Sequence, residues 1–389
     1  TKKLFSNKTK KKLFLLYTMS IKHNSVEPLS KKASYGENEN IDFTLDFENE
    51  KYVSNSLRIS GEVKFETTTG NRVADGDDVK FDGKSGAHSL FRQFTVEFER
   101  KGVINTFQNY GRLVRMKADC TKYYKDFFSS EAVCELRAPK DRFTQWITRG
   151  VGNEGVGGNT PNNFVNPSFY LKPLICLNEM SGNLSYGKSG QIKVSLETES
   201  FINTLYGADV AGTSNYKLYN LRLHYLTVPE DGIDEKVAMR THHHVKQNLD
   251  SSHGVISTRV PAIADSVSCS FLKSKHQNNS GYNNVETEKI PELEEVQFLF
   301  NDQITYIDFP IQNPVEVLDN YVNSMTKGNP GHNSSMPTDI DRDSGFGIGL
   351  YWGKFVDFTN NKYTMSIKSG ISNVDNYEVF MYFHGLVAL

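Results

Sequence analysis

One pattern of secondary structure occurs twice in the sequence. In the first copy, Phe94, Val96 and Phe98 alternate with polar residues, which predicts a half-buried strand. The turn residues 100–102 lead into a second strand over 103–107, and an amphipathic helix is predicted to begin at Tyr110. Because this order of elements recurs about two hundred residues later, the chain is predicted to contain a duplicated domain.

The second copy repeats the strand, the turn and the returning strand over residues 296–307. A helix follows, with Asn313 as its predicted N-cap, Pro314 as its first residue and Gly328 as its stop. Its inward-facing residues are predicted to be Val315, Leu318, Val322 and Met325.

Apolar strands are predicted after both copies, and their order is the same. They cover 169–177, 191–196 and 217–228 after the first copy, and 346–352, 363–367 and 377–387 after the second. Two all-β domains are therefore predicted over 37–230 and 255–389, with a linker over 231–254 and an N-terminal arm over 1–36. The alternative is a single large β-rich enzyme with accidental self-similarity.

Composition limits the possible functions. The 389 residues suffice for two domains, and the 12% of aromatic residues favours strands over helices. A formal net charge of −2 provides no overall field that would attract a polyanion. The four cysteines lack CxxC spacing and are expected to be small buried residues in a reducing compartment. No apolar run approaches the roughly 20 residues of a membrane span, and a soluble protein made in a cytoplasm is expected.

The N-terminal arm combines positive charge with a short apolar run. Its charged and apolar residues are Lys2, Lys3, Lys8, Lys10, Lys11, Lys12, Leu13, Phe14, Leu16 and Tyr17. A signal peptide would need a longer apolar part and a small-residue cleavage site. The arm is expected to lie on an anionic surface or beneath a neighbouring subunit. The alternatives are a solvated tail or residues upstream of a true start at Met19.

The sequence contains no recognisable catalytic motif. A GxSxG elbow, an HExxH helix and a paired-cysteine zinc site are all missing from it. The glycine-rich stretch 149–161 lacks the lysine and the strand–loop–helix context of a phosphate site, so a long exposed loop is expected. Residues 242–244 and His253 raise the question of a metal site, but a polar linker is the default expectation. His224 and His384, one in each closing strand, are expected to be packed or interface histidines.

With both halves assembled, the chain resembles the double jelly-roll major capsid proteins of tailless icosahedral DNA viruses. This lineage includes tectiviruses, adenoviruses, virophages and polinton-like viruses. The resemblance is carried by the hairpin 93–107 with its helix, the strand 170–177, the closing run 217–225 and the ending 377–389. It covers nearly the whole chain from Asn38 onward, and it depends on element order because no invariant motif is present.

The resemblance implies an all-β fold of two tandem eight-stranded jelly-roll barrels with short helices in the loops. It implies a structural role without enzymatic activity or cofactor. Three copies would form a pseudo-hexagonal homotrimer that tiles an icosahedral shell, assembled in the host cell and located in the virion. The implied partners are the chain itself, neighbouring trimers, penton and minor capsid proteins, and an inner membrane or genome reached through the arm.

Two other functions compete with this interpretation. A carbohydrate-binding or glycan-processing β-sandwich protein would need a groove with exposed tryptophans and paired acids, but the sequence has only Trp146 and Trp352. A metal-dependent cupin enzyme would use His224 or His384 as a ligand.

Overall fold

The computed structural model describes residues 21–67, 79–121, 129–137, 168–208, 210, 214–233, 236–250, 253–304, 310–326, 347–370 and 376–389. The strands of the first half are β1 Lys22–Val26, β2 Asn40–Leu45, β3 Glu50–Tyr52, β4 Arg58–Thr67, β5 Lys80–Phe81, β6 Phe91–Phe98, β7 Gly102–Gln108, β8 Ser168–Leu171, β9 Leu184–Ser185, β10 Ile192–Thr198, β11 Leu205–Tyr206 and β12 Ser214–Pro229.

The strands of the second half are β13 Ala238–Leu249, β14 His253–Thr258, β15 Ile263–Lys273, β16 Leu293–Phe300, β17 Gln303–Ile304, β18 Ile348–Asp357, β19 Tyr363–Ser369 and β20 Tyr377–Ala388. The α-helices are α1 Tyr110–Thr121, α2 Ser130–Cys134, α3 Tyr186–Ser189, α4 Phe201–Thr204 and α5 Pro314–Thr326. Short 3-10 turns are formed by Gly86–Leu90, Cys176–Asn178 and Ser274–His276.

The two halves share one order of eight strands in two antiparallel sheets. In the first half, neighbouring strands run β1-β12-β4-β8 in one sheet and β2-β10-β6-β7 in the other, while β3 and β9 extend the first sheet beyond β12. In the second half, the corresponding orders are β13-β20-β15-β18 and β14-β19-β16-β17. Eight strands in this order form a jelly roll. The predicted duplication and the eight-stranded barrels are confirmed.

Each barrel buries the apolar positions of its alternating strands. In the first hairpin, Phe94, Val96 and Phe98 are fully buried, whereas the polar residues between them are half-buried. One buried apolar cluster fills the first barrel and another fills the second. The first cluster also includes Tyr321 and Met325 of α5, so the apolar core continues across the junction between the barrels.

Local turn chemistry explains both hairpins. Gly102 has a φ of 75°, a conformation that costs glycine little because it lacks a Cβ atom. Asn301 and Asp302 have φ values of 51° and 63° and connect β16 to β17, as a two-residue hairpin turn requires. The predicted return strand 304–307 is described only through Ile304, and residues 305–309 lie outside the described residues.

Helix α5 begins where the sequence predicts. The side-chain Oδ1 of Asn313 accepts a hydrogen bond from the Val315 N–H at 2.9 Å, and Pro314 is the first helical residue. The inward position predicted for Val315 is wrong, because its side chain is 60% exposed. Met325 is buried as predicted, and Leu318 and Val322 are partly buried against the same apolar cluster. Val317 and Tyr321 are also buried and lie at four-residue spacing with Met325. The predicted stop at Gly328 lies outside the described residues.

The structure assigns two segments differently from the predicted domain limits. β1, within the predicted arm, pairs with β12, and β13, within the predicted linker, pairs with β20 along its whole length. Each is the first strand of its barrel. Neither segment shows the apolar alternation from which a strand is predicted. β1 is mostly exposed, and β13 carries three consecutive histidines.

Two smaller predictions also differ from the structure. Strand β8 ends at Leu171, early in the predicted strand 169–177, and Cys176–Asn178 forms a 3-10 turn. Cys134 is exposed, whereas the other three cysteines are buried as expected, and all four are free thiols.

Candidate functional site: the junction between the two barrels

The side chain of Asn105 on strand β7 of the first barrel bonds to the backbone of β13 in the second barrel. The Asn105 side-chain amide donates to the His242 carbonyl at 2.9 Å and its Oδ1 accepts from the His242 N–H at 2.8 Å. This pair of bonds satisfies a peptide group as a neighbouring strand would. Asn105 is buried. Its two hydrogen bonds fix the lateral position of the two barrels.

A buried arginine extends the junction along α1. Arg112 donates to Ser270 Oγ at 2.9 Å and to the Glu286 carbonyl at 2.7 Å, and it also bonds the Asn284 carbonyl. Its guanidinium lies 4.1 Å from the centroid of the Phe380 ring, in cation–π geometry. All four partners belong to the second half. Burial lowers the pKa of Arg112 to about 10, which still leaves it charged at neutral pH.

A second arginine, one turn along α1, is the centre of a buried ion cluster. Arg115 donates to Asp119 at 3.0 Å, to Glu286 of the second half at 3.0 Å and to Asp82. Asn283 of the second half donates to the same Asp82 carboxylate at 2.7 Å. Burial opposes ionisation of Asp82, but the charge of Arg115 lowers its pKa. The cluster therefore ties a first-barrel helix to the second barrel through buried ion pairs.

Asn283, Asn284 and Glu286, the second-half partners in these contacts, lie in a loop whose middle part is buried. Within Lys273 to Lys289, His276, Asn284 and Val285 are buried. The Gly207 N–H of the first half also donates to the Ser280 carbonyl at 2.7 Å. This loop belongs to the second barrel and packs against the first.

A chain of polar side chains crosses the junction at the histidine strand. The register of β13 against β20 places His242 opposite His384. Their Nδ1 atoms are 2.9 Å apart, and His242 Nε2 lies 3.3 Å from Glu179 of the first half. Glu179 in turn accepts from Lys117 of α1 at 2.7 Å. His242, predicted to be a linker residue, and His384, predicted to be a packed or interface residue, are thus brought together.

Three ionisable groups in or beside this row of polar side chains have lowered pKa values. Burial would raise the pKa of Glu179, but the Lys117 and His242 charges lower it well below its usual value. Burial, Arg112 and Lys246 lower the pKa of His244 to about 4, so this ring is neutral at pH 7. The pKa of His243 is lowered by burial and by the charge of His242.

The two closing-strand histidines occupy equivalent positions. His224 Nε2 lies 2.8 Å from Ser60 Oγ, and His384 Nε2 lies 2.9 Å from Ser268 Oγ. Both serines lie two residues beyond the strand partner of the histidine. The first barrel has Ser25 opposite its histidine, whereas the second has His242. Only the second barrel thus has a histidine pair at this position.

The described residues show no metal centre. No group of three or more His, Cys, Asp or Glu side chains in this part of the chain is arranged to hold a metal ion. Trp352 packs against Phe358 with ring centroids 5.1 Å apart and thus contributes to the barrel core. A cavity of about 200 Å³ beside α1 has two ion pairs in its wall, Lys117–Glu179 and Arg137–Glu135.

The predicted arm residues, Lys2 through Tyr17, lie outside the described residues, as do Trp146 and the glycine-rich stretch 149–161. The junction residues Asn105, Arg112 and Arg115 were not predicted from the sequence. The available signal was two arginines, three residues apart, within the predicted helix. Within the described part of the chain, no helix is both long enough and apolar enough to cross a membrane.

The structure is similar to viral capsid proteins. The Faustovirus major capsid protein matches with a TM-score of 0.62 at 9% identity, over 96% of this chain and 90% of that chain. PBCV-1 VP54, fitted into a cryo-EM reconstruction of the virophage Sputnik, matches with a TM-score of 0.56 at 8% identity, over 100% and 97%. A Sputnik virophage chain solved by cryo-EM matches with a TM-score of 0.52 at 9% identity, over 95% and 86%.

The chain has the double jelly-roll fold. The match covers both barrels and nearly the full length of the capsid proteins, so the tandem arrangement is shared as well as the single barrel. No protein-family model matches the sequence, and no curated protein matches it significantly.

Proposed function

We propose that this chain is a major capsid protein of an icosahedral virus. The observation that carries the proposal is the full-length match to the Faustovirus major capsid protein, which covers 96% of this chain. A jelly roll alone occurs in lectins and enzymes as well as in capsids. The polar and apolar contacts of the junction hold the two barrels side by side as one rigid unit. Such a unit is suited to be the building block of a capsid shell.

The proposed role is structural, without an enzymatic activity or a cofactor. Three chains, each with two similar barrels, would form a homotrimer with a pseudo-hexagonal outline. Such trimers would tile the shell of a virion assembled in the host cell and would contact neighbouring trimers, penton proteins and minor capsid proteins. The basic arm would contact an inner membrane or the genome.

Molecular mass in solution tests the proposal. Light scattering of the purified chain is expected to give three times the chain mass of 44.0 kDa, and electron microscopy is expected to show particles with a hexagonal outline. A monomer that binds an oligosaccharide would instead support the β-sandwich glycan-binding alternative. A stoichiometric, tightly held transition metal would support the cupin enzyme.

A further inference from the structure

A continuous row of five hydrogen-bond contacts runs from the first barrel into helix α5 of the second. The contacts are Glu179 Oε2 to His242 Nε2 at 3.3 Å, His242 Nδ1 to His384 Nδ1 at 2.9 Å, His384 Nε2 to Ser268 Oγ at 2.9 Å, Ser268 Oγ to Ser324 Oγ at 2.8 Å, and Ser324 Oγ to the Tyr321 carbonyl at 2.6 Å.

The number of hydrogens in this row can be counted. A carboxylate and a backbone carbonyl only accept, so both ends of the row must receive a hydrogen. Each of the five contacts needs one hydrogen between its two heavy atoms. The four groups in between are two neutral imidazoles and two hydroxyls, and each provides one hydrogen. Neutral side chains therefore leave one contact without a hydrogen.

A single additional proton completes the row. With it, Ser324 donates to the Tyr321 carbonyl, Ser268 donates to Ser324, and His384 Nε2 donates to Ser268. His384 Nδ1 then accepts from His242, whose second N–H points at Glu179. We infer that the His242–His384 pair holds a bound proton at neutral pH and acts as a proton-dependent latch between the two barrels.

The carboxylate is a poor place for the extra proton. Glu179 accepts from Lys117 at 2.7 Å, and its pKa is held well below the usual value. The histidine pair itself is buried, with His242 5% and His384 4% exposed. A buried imidazolium needs a nearby anion, and Glu179 is that anion. The cluster of Lys117, Glu179 and the protonated pair has a net charge of +1.

The other charged and titratable groups on the surrounding strands do not take over this role. His243 and His244 have lowered pKa values and are neutral at pH 7. Arg240 on β13 is paired with Asp265 on β15 at 2.5 Å. The residues of β7 nearest the pair, Asn105 and Phe107, carry no charge.

Proton linkage fixes the direction of the effect. Unfolded histidines release their proton above about pH 6.5, whereas the folded protein keeps one more proton in this row. Because the folded state binds the additional proton, its stability is complete at lower pH and decreases as pH rises. One such proton changes the unfolding equilibrium constant tenfold per pH unit.

The variant Ser324→Ala tests the count of hydrogens in the row, because it removes one hydroxyl and changes no titratable side chain. Removing this hydroxyl ends the row at Ser268, and the three remaining contacts are satisfied by neutral histidines and one hydroxyl. Thr326→Val is the matched control, because its hydroxyl makes the same kind of bond to a carbonyl of α5, at 2.9 Å to Val322, and stands outside the row.

Denaturant unfolding at several pH values between 7 and 8 gives the readout. The ratio of unfolding constants, Ser324→Ala over wild type, is expected to fall about tenfold per pH unit, whereas the ratio for Thr326→Val stays constant. A constant ratio for Ser324→Ala would overturn the inference.

Nitrogen-15 spectra of the folded protein provide a second measurement that needs no reversible unfolding. At pH 7.5 the wild-type protein is expected to show a ring with both nitrogens protonated, assigned by its loss in His242→Gln or His384→Gln. This signal should be missing from Ser324→Ala and present in Thr326→Val. Two neutral rings in the wild-type protein would overturn the latch.

Discussion

Arg115 is a buried residue with three carboxylate partners, which makes it the most consequential single residue of the junction. Its side chain is 8% exposed, and the side chains of Asp82 and Asp119 are 2% and 1% exposed. Removing one member of a buried ionic cluster leaves the opposite charges without compensation, and this costs more than the cluster itself contributes.

We expect Arg115→Met to lower the free energy of unfolding by about 3–5 kcal/mol. The matched control is Arg222→Met, because Arg222 pairs with Glu27 at 3.0 Å on the surface, with side chains 54% and 58% exposed. An exposed pair of this kind is worth about 1 kcal/mol or less. Urea denaturation measures both variants, and equal losses would contradict the role given to the buried cluster.

Glu135 makes stability depend on pH in the acid range. Burial opposes its ionisation, but His88 and Arg137 lower its pKa to about 2, from a usual value of 4.5. A carboxyl group with a lowered folded-state pKa stabilises the protein above its unfolded pKa. This contribution is lost as pH falls from about 4.5 to 2.

Glu135→Gln is therefore expected to cost about 3 kcal/mol at pH 7, and its difference from the wild-type protein should shrink as pH is lowered from 5 toward 3. Urea unfolding at each pH gives the comparison. Glu27→Gln, at an exposed carboxylate that pairs with Arg222, is the control and should cost about 1 kcal/mol or less. A loss for Glu135→Gln that is independent of pH would mean that its charge is not responsible.

At the scale of residues, the sequence predicts apolar burial well and charge placement poorly. Phe94, Val96 and Phe98 were predicted to be buried from alternation alone, because a strand with one covered face imposes a period of two. Arg112 and Arg115 could not be predicted to be buried, because the carbonyl partners of Arg112 and the Glu286 carboxylate that pairs with Arg115 come from a loop more than 150 residues away. A long-range partner leaves no periodic signal.

At the scale of elements, helix α5 is positioned by close contact with strand β18. A Cβ atom added to Gly349 would lie 2.2 Å from Ser324 Oγ and 2.9 Å from the Val267 carbonyl oxygen. A Cβ atom on Gly347 would lie 2.4 Å from the Tyr321 ring. These glycines allow the helix to lie against the strand, and this closeness lets Ser324 reach Ser268.

Gly349→Ala is expected to move α5 away from β18 and to lower the free energy of unfolding by about 1–3 kcal/mol, as overpacking of a core does. Gly187→Ala is the control, because the nearest atom to its added Cβ is Ser185 Oγ at 3.8 Å. It should be neutral or slightly stabilising. Thermal unfolding compares the two, and an unchanged midpoint for Gly349→Ala would show that the helix contact adjusts freely.

The first strand of each barrel shows why some elements could not be predicted. β1 and β13 contain few apolar residues in alternation, and their stability comes from pairing with the closing strands β12 and β20. The local hydrophobic pattern therefore predicted an arm and a linker, whereas the structure has strands there that pair with β12 and β20. The closing strands were predicted because β12 carries a long alternating apolar pattern and β20 a nearly continuous apolar run, and these apolar residues are largely buried.

At the scale of the whole molecule, the duplication and the junction have different origins. The two barrels repeat one strand order, and this was predictable because each half carries its own hydrophobic pattern. The junction residues differ between the halves: Arg112 and Arg115 belong to α1, whereas α5 contributes Tyr321 and Met325. Such asymmetric surfaces allow two similar barrels to pack in one fixed order within one chain.

The basic arm is expected to act through its positive charge in the proposed capsid. Six lysines precede Leu13, and unpaired ammonium groups are costly to bury, so they should face water, lipid headgroups or nucleic acid. Each lysine near an anionic leaflet contributes about 1 kcal/mol. Deleting Thr1 to Tyr17 is expected to leave trimers intact by light scattering while abolishing their binding to anionic vesicles or assembly around nucleic acid.

A variant of the same length without the positive charge separates the effect of charge from that of length. Replacing the six lysines by glutamine keeps the apolar residues Leu13, Phe14, Leu16 and Tyr17, so any remaining subunit clamping should survive. If vesicle or nucleic-acid binding is lost in both variants, charge provides the tether. If assembly fails only in the deletion, the apolar residues hold neighbouring subunits and the charge is incidental. Unchanged binding and assembly in both would remove the arm from the assembly mechanism, because neither its charge nor its apolar surface would then be needed.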